Sequence, residues 1–455
     1  MKTKFCPLSS NSVKKILIIS YSYPPVNAPA AQMPYFVAKH IKKHGWDTVI
    51  LTAKYPDSSL SYSLWGGCEI GVIKAFNFII SPFRKLHGKI YGESFPQGRF
   101  ANKFFKKILN FIHDLCLIPD KGITWLPFAV FKGFLILLSD KEIKVILSTA
   151  PLWTNHIVAL ILKKIFKLPW LASFRDYFYI ENFENEGSKW RRKVFKTLES
   201  CILKNANVIT FVTESLLKRY CQFYPFISRK SVTIHNGFEP SEFTNNAEDL
   251  VSKPLTIFYS GTSYRGERSI LPLLLTLERA LEHGIVNTSD ISIIIAGPME
   301  DASVYSSFNF LKISESIKFL GTLSRREVLK LMKSSHLLLL LVPRSNKFSH
   351  VLPIKLFEYV GSQRPILAFA PQDSEAARFI SELKCGFILS NDISSESISM
   401  NLSVIEKIVQ IYKSGELSKP LMLEWSKVIE FTWEQIAYRY AEVLKKMLFA
   451  TKFAK

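Results

Sequence analysis

The chain has 455 residues, 48% of them hydrophobic, with 22 prolines and 19 glycines; this excludes a disordered protein and allows two large α/β domains or about three smaller ones. A formal net charge of +21 and a pI near 9.5 call for an anionic partner: nucleic acid, anionic lipid or a phosphorylated substrate. The cysteines Cys6, Cys68, Cys116, Cys201, Cys221 and Cys385 are scattered without close pairs, which argues against a zinc box or a disulfide framework and suits a reducing compartment.

Met1 to Lys15 lacks the apolar segment of a signal peptide. The most apolar run, Trp125 to Leu138, is interrupted by Lys132 and is shorter than the roughly 20 residues a bilayer requires. The expectation is a cytoplasmic protein, soluble or bound to a membrane surface. Ile16 to Ser20 reads as a first buried strand, Tyr21 to Ala28 as an irregular loop, the residues to His44 as a helix ended by Gly45, and Asp47 to Leu51 as a second strand. Such a βαβ opening starts a doubly wound parallel sheet, in which ligands sit at the carboxyl ends of the strands.

Residues 83–107 carry Arg84, Lys85, Lys89, Arg99, Lys103, Lys106 and Lys107 against one acid, Glu93, interleaved with aromatic residues. That pattern suits an anionic membrane surface or a nucleic-acid groove; the plain alternative is a solvated basic face backed by an apolar one. Val145 to Ser148 and Trp170 to Phe174 read as strands. They put His156, Arg175 and Asp176 near carboxyl ends, where Asp176 is either a cleft carboxylate or half of an Arg-Asp structural pair and His156 is a packing residue. Residues 188–204 form an amphipathic helix, and Val208 to Val212 and Val232 to Phe238 close the first half. Glu239 to Pro254 is polar and unpatterned, the composition of a linker.

A second strand-turn-helix unit begins at Leu255 to Ser260 and turns at Gly261, with Arg265 and Arg268 ahead of a helix from about Ile270. Either arginine could hold a diphosphate there or stay solvated. Ser324 and Glu327 have capping-box spacing. Leu337 to Val342 is a strand buried on both faces. After a polar loop, Pro353 suits the first helical position and Gly361 the residue just past the helix end. Lys355 and Glu358, three apart, share a face near the anion-attracting amino terminus, where a cation can hold phosphate and a carboxylate can accept from ribose hydroxyls. An exposed Lys-Glu helix pair is the plain alternative. No Asp-x-Asp and no His/Cys cluster with ligand spacing occurs, so neither metal nor other cofactor is expected.

Pro353, Lys355, Leu356-Phe357-Glu358-Tyr359, Gly361 and Arg364-Pro365-Ile366 together resemble the signature of family 4 retaining glycosyltransferases of the GT-B fold. The resemblance implies an α/β fold of two Rossmann-like domains whose parallel sheets face a central cleft. The N-terminal, acceptor-side domain would be 1–238, with an interdomain linker at 239–253. A C-terminal, nucleotide-sugar-binding domain would follow at 254–424, and a closing helix at 425–455 would cross back. It also implies that Glu358 binds the nucleotide ribose and that Lys355, with Arg265 or Arg268, stabilises the departing diphosphate. Where many members carry a glutamate eight positions before Glu358, this chain has His350, so the donor sugar is not indicated. Tyr23-Pro24-Pro25, Arg175-Asp176 and Asn236-Gly237-Phe238 match further family segments, and Gly261 the first turn of the donor domain.

Transfer of a hexosyl group, metal-independent and with retention, to a glycan or lipid-linked acceptor is the implied activity, with bacterial cell-surface polysaccharide synthesis as its setting. In that context residues 83–107 point to an anionic membrane surface rather than to nucleic acid. The rival readings are an epimerase of the same fold, an inactive scaffold and a nucleic-acid binder.

Overall fold

In the computed structural model the described residues are 13–26, 28–54, 71–76, 118–179, 189–244, 254–262, 268–298, 308–344 and 350–453. The basic-aromatic stretch 83–107 and Arg265 lie outside them. The chain divides into two compact units: residues 1–211 with 219–233 and 437–455, and residues 212–218 with 234–436.

The first unit contains β1 (Lys14–Ile19), α1 (Pro29–Ile41), β2 (Trp46–Ala53), β3 (Gly71–Ala75), α2 (Leu126–Ser139), β4 (Ile143–Thr149), α3 (Thr154–Phe166), β5 (Trp170–Phe174), α4 (Lys189–Asn205), β6 (Val208–Phe211) and β7 (Ser231–Thr233). Its sheet has the order β3-β2-β1-β4-β5-β6-β7, every pairing parallel. The last strand is shorter than the sequence pattern indicated, because pairing stops at Thr233. The second unit contains β8 (Leu255–Ser260), α5 (Leu271–Glu282), β9 (Ile291–Ala296), β10 (Ile317–Phe319), α6 (Arg325–Lys333), β11 (Leu337–Leu341), α7 (Ile354–Ser362), β12 (Ile366–Phe369), α8 (Glu375–Leu383), β13 (Gly386–Leu389) and α9 (Ser395–Lys413). Its order is β10-β9-β8-β11-β12-β13, again parallel. A final helix, α10, runs over Trp433–Phe453.

Apolar patterning explains the second sheet directly. Leu337, Leu339 and Leu341 pack with Ile257, Ile293 and the α5 leucines on one face. Leu338 and Leu340 pack with Phe258, Phe357 and Ile380 on the other. A strand buried on both faces needs a continuous apolar run, and each fully buried leucine contributes about 1.5–3 kcal/mol. The capping box holds: Ser324 Oγ accepts from Glu327 N–H at 3.3 Å, and Glu327 Oε2 accepts from Ser324 N–H at 2.8 Å.

Three readings of the sequence need correction. Pro353 is the N-cap, with extended backbone (ψ 140°), so the helix starts at Ile354 and Lys355 is its second residue. Gly361 lies inside the last turn, and Gln363 supplies the left-handed residue (φ 57°) that ends the helix. Gly361 is required by packing instead, since a Cβ there would approach Phe238 Cγ to 2.8 Å. The third concerns the apolar run: a 3-10 turn from Lys121 extends it, so Lys121–Ser139 is, among the described residues, the one helical stretch long and apolar enough to cross a membrane, with 33% of it buried. In α2, Ala129, Gly133, Ile136 and Leu137 face inward, while Phe131, Leu135 and Leu138 are exposed.

Gly237 shows how tightly the start of the second unit is held. Phe238 N–H donates to Phe431 O at 2.9 Å and Trp433 N–H donates to Phe238 O at 2.9 Å. A Cβ on Gly237 would lie 2.6 Å from the Phe431 carbonyl oxygen, a backbone atom that cannot swing aside. Gly237→Ala is therefore expected to lower the unfolding free energy in urea by roughly 1–3 kcal/mol. Leu320→Ala, at a side chain 45% exposed, is expected to stay within about 0.5 kcal/mol of wild type.

Candidate functional site

The strand order of the second sheet reverses between β8 and β11, which are neighbours although distant in sequence. Loops leaving the carboxyl ends of such strands diverge to opposite faces and open a crevice there. Gly261 follows β8 and α7 follows β11, so the sequence-derived candidates Gly261, Lys355 and Glu358 meet at that point.

Lys355 Nζ donates to the Ser260 carbonyl oxygen at 2.6 Å and stands 4.7 Å from the centroid of the Tyr259 ring. Tyr259 in turn donates its hydroxyl to Thr262 O at 3.1 Å. Burial lowers the Lys355 ammonium to about 7; nearby Arg268 pushes the same way, and Glu358 opposes both. Gly261 makes room for the ammonium: its own N–H donates to Ala296 O at 2.9 Å, and a Cβ there would run into Lys355 Nζ. A hydrogen-bonded amine lowered to near neutrality, beside the N–H groups of a helix start, suits a multiply charged oxyanion.

Glu358 lies one turn further along α7 and is buried, its Oε1 accepting from Arg325 Nη1 at 2.7 Å. Arg325 also holds Glu242, through Nε to Oε1 at 2.8 Å and Nη2 to Oε2 at 2.6 Å. Neither Arg325 nor Glu242 was singled out from the sequence. One signal was present: an arginine opening a helix opposes the helix dipole and calls for a carboxylate from elsewhere. Of the remaining candidates in this unit, Arg268 is half-buried and acts electrostatically on Lys355. His350 is half-buried at the turn preceding Pro353. A groove lined by Thr256, Ser292, Lys318 and, from α6, Glu327 and Lys330 shares no residue with this site.

Asp176 belongs to the first unit, exposed just after β5 beside half-buried Arg175. Burial lowers Arg175 to about 10, while Tyr440 and Asp176 favour its charged form. The loop bearing them is fixed from behind: Glu199 Oε1 accepts from Tyr179 N–H at 3.1 Å and from the Tyr220 hydroxyl at 2.7 Å, and Oε2 accepts from Tyr224 at 2.8 Å. At this sheet's own reversal, between β1 and β4, Asn155 accepts from Tyr21 N–H at 2.9 Å and donates to Thr149 O at 2.7 Å. The sequence reading passed over both Asn155 and Glu199. His156 is buried and stacked on Phe174 at 5.0 Å, with Nδ1 2.7 Å from Ser148 Oγ. Burial pushes it down to about 3, so it is a neutral packing group and does not line a cleft.

Among the described residues no group of three or more His, Cys, Asp or Glu side chains could hold a metal ion. The sequence matches no protein-family profile and no curated protein. Solved structures do match. The sucrose-phosphate synthase of Thermosynechococcus elongatus is 15% identical, with a TM-score of 0.63 over 96% of this chain and 100% of its own. Anabaena HepE in complex with UDP and glucose is 14% identical, with a TM-score of 0.61 over 95% and 100%. A glycosyltransferase of Rickettsia africae is 16% identical, with a TM-score of 0.60 over 96% and 98%. With the two parallel sheets, these likenesses establish the two-domain, Rossmann-like GT-B fold.

Glu199 provides a test of the first unit's electrostatics. Burial raises its carboxyl from 4.5 to about 7 against the pull of its hydrogen bonds. The folded chain then keeps this proton up to about pH 7, whereas the unfolded chain releases it near 4.5. The contribution to stability is full below the lower value and is lost as pH rises through the upper one. Relative to Glu199→Gln, wild type is expected to lose about 3 kcal/mol of unfolding free energy across that window, measured by urea titrations at stepped pH.

Proposed function

We propose that the chain is a retaining, metal-independent glycosyltransferase that moves a hexosyl group from a nucleotide-diphosphate sugar to a glycan or lipid-linked acceptor. Its setting would be the synthesis of bacterial cell-surface polysaccharide. The observation that carries this reading is Lys355: a partly buried ammonium at a helix start, set beside Gly261 at the sheet's reversal point and, among the described residues, hydrogen-bonded to the Ser260 carbonyl. A diphosphate arriving there replaces a weak dipolar partner with full negative charge, and charge builds on it further as the sugar departs. Arg268, and Arg265 outside the described residues, are assigned to the same phosphates. Glu358 takes the ribose hydroxyls, because a carboxylate can accept from them and from Arg325 together. Pro353 sets the start of the phosphate-binding helix, and His350 is placed on the donor-sugar side. Asp176 is assigned a catalytic role.

The similar Anabaena HepE has been solved in complex with UDP-glucose, which makes UDP the first nucleotide to try. For the acceptor, a lipid-linked substrate accords with the basic-aromatic stretch 83–107, with the exposed Phe131, Leu135 and Leu138, and with a place on the inner face of the cell membrane.

Calorimetric titration of UDP, GDP, ADP and their sugars into metal-free protein tests the donor site. One diphosphate is expected to bind at micromolar affinity, and Glu358→Ala to weaken it by about 1.4 kcal/mol or more, a factor of ten. Absence of binding to every one of them would overturn the assignment. Proton linkage gives an independent check. With the free ammonium at about 7, the protein at pH 8 must take up nearly one proton as the diphosphate binds. Titrations in buffers of different ionisation enthalpy are expected to show that uptake, with affinity falling up to about tenfold per pH unit above 7. Both effects should vanish in Lys355→Met.

A further inference from the structure

Arg325 enters the donor reading above only as a hydrogen-bond partner of Glu358, and Glu242 not at all, yet with Glu358 they form the most enclosed ion-pair group described in the second unit. The Arg325 side chain is 10% exposed, with Glu242 at 19% and Glu358 at 8%. Glu242 comes from the 3-10 turn Pro240–Phe243, Arg325 from the start of α6 and Glu358 from α7, so three separate segments converge on one guanidinium. Burial alone would weaken the arginine's hold on its proton; Glu358 and Glu242 more than offset that and keep it firmly charged. Burial pushes the Glu242 carboxyl up, Arg325 pulls it down, and Glu358 beside it adds to the rise.

The geometry divides the guanidinium's donors unequally. Two go to Glu242 in the parallel, two-bond arrangement that fixes the plane of the group, and Nη1 gives one to a single oxygen of Glu358. Glu242 thereby orients Arg325, and Arg325 orients the Glu358 carboxylate. We propose that Arg325, steadied by Glu242, is a positioning residue that presents Glu358 to the ribose hydroxyls and so makes the site prefer ribonucleotides to deoxyribonucleotides. This rests on the reading of Glu358 as the ribose ligand. Without the cation, two buried carboxylates would face each other and repel, and Glu358 would leave the orientation it now holds. The phosphates would still meet Lys355, so the loss falls on the sugar contact.

The test is the ratio of affinities for UDP, GDP and ADP over their 2′-deoxy and 3′-deoxy counterparts, by calorimetry, in wild type, Glu358→Gln, Arg325→Met and Arg325→Lys. A ratio is not moved by a reduced folded fraction, which a purely structural role would produce. Wild type is expected to favour at least one ribonucleotide about tenfold or more, the worth of a hydrogen bond to a charged group. Glu358→Gln and Arg325→Met are expected to bring the ratio near one. Arg325→Lys keeps the charge and loses the fork, and is expected to do the same; it decides the matter where the methionine variant fails to fold. Arginine variants that keep the wild-type ratio while Glu358→Gln loses it would overturn the positioning role. A wild type that binds both kinds of nucleotide equally would instead overturn the reading of Glu358.

Discussion

The reversal of strand order between β8 and β11 is the constraint on which the second unit's chemistry depends. Because the sheet is parallel and both its faces are buried, every connection must cross over one face or the other. The α5 leucines pack on one face and α7 on the other, so the chain leaves these two neighbouring strands in opposite directions. What stays between them is backbone, with Gly261 at its edge and no side chain to fill it. Lys355 can reach the Ser260 carbonyl only because that space is empty. Two apolar strands thus create a place for a cation, although none of their residues is charged.

The two cations near this point have opposite fates, and their partners explain why. Arg325 meets two carboxylates and is held charged despite its burial. Lys355 meets a carbonyl and an aromatic ring, with Arg268 nearby, and is lowered to about 7. Ring and carbonyl each offer partial negative charge to an ammonium, but together they do not replace its hydration. One positive group is therefore satisfied from within, and the other, lacking a close carboxylate partner among the described residues, is the one proposed to meet an anion from outside. Exchanging the two residues would undo this, since a compact ammonium cannot span two carboxylates as the planar fork does.

How much of this was legible in the sequence follows from the range of the interactions. The strands, the Ser324-Glu327 cap and the Lys355-Glu358 pair rest on local pattern or on a motif contained within one loop and helix, and these could be read; Gly261, in a distant loop, was reached only through the resemblance of its turn. The end of α7 could not: Gly361 looked like a terminator, but Phe238, more than a hundred residues earlier in the chain, occupies the space its side chain would need, and the helix runs on to Gln363. Glu242 and Arg325 are 83 residues apart, and each alone reads as a surface charge. Asn155 and Glu199 sit in helices whose apolar spacing drew the eye past a single polar residue, yet each ties a loop at the carboxyl edge of the first sheet.

The first sheet repeats the topology of the second with different chemistry. At its reversal point, between β1 and β4, Asn155 accepts from the loop after β1 and donates to the end of β4, while neutral His156 stacks on Phe174. An amide that already bridges two backbone groups holds loops in place and offers no net charge to a ligand. The reversal of strand order therefore dictates where each unit can present a site, while the side chain at each reversal differs: an amide in the first and, in the second, the lysine proposed to meet an anion. On that ground the proposed phosphate site belongs to the second unit, although the two sheets are built on the same plan.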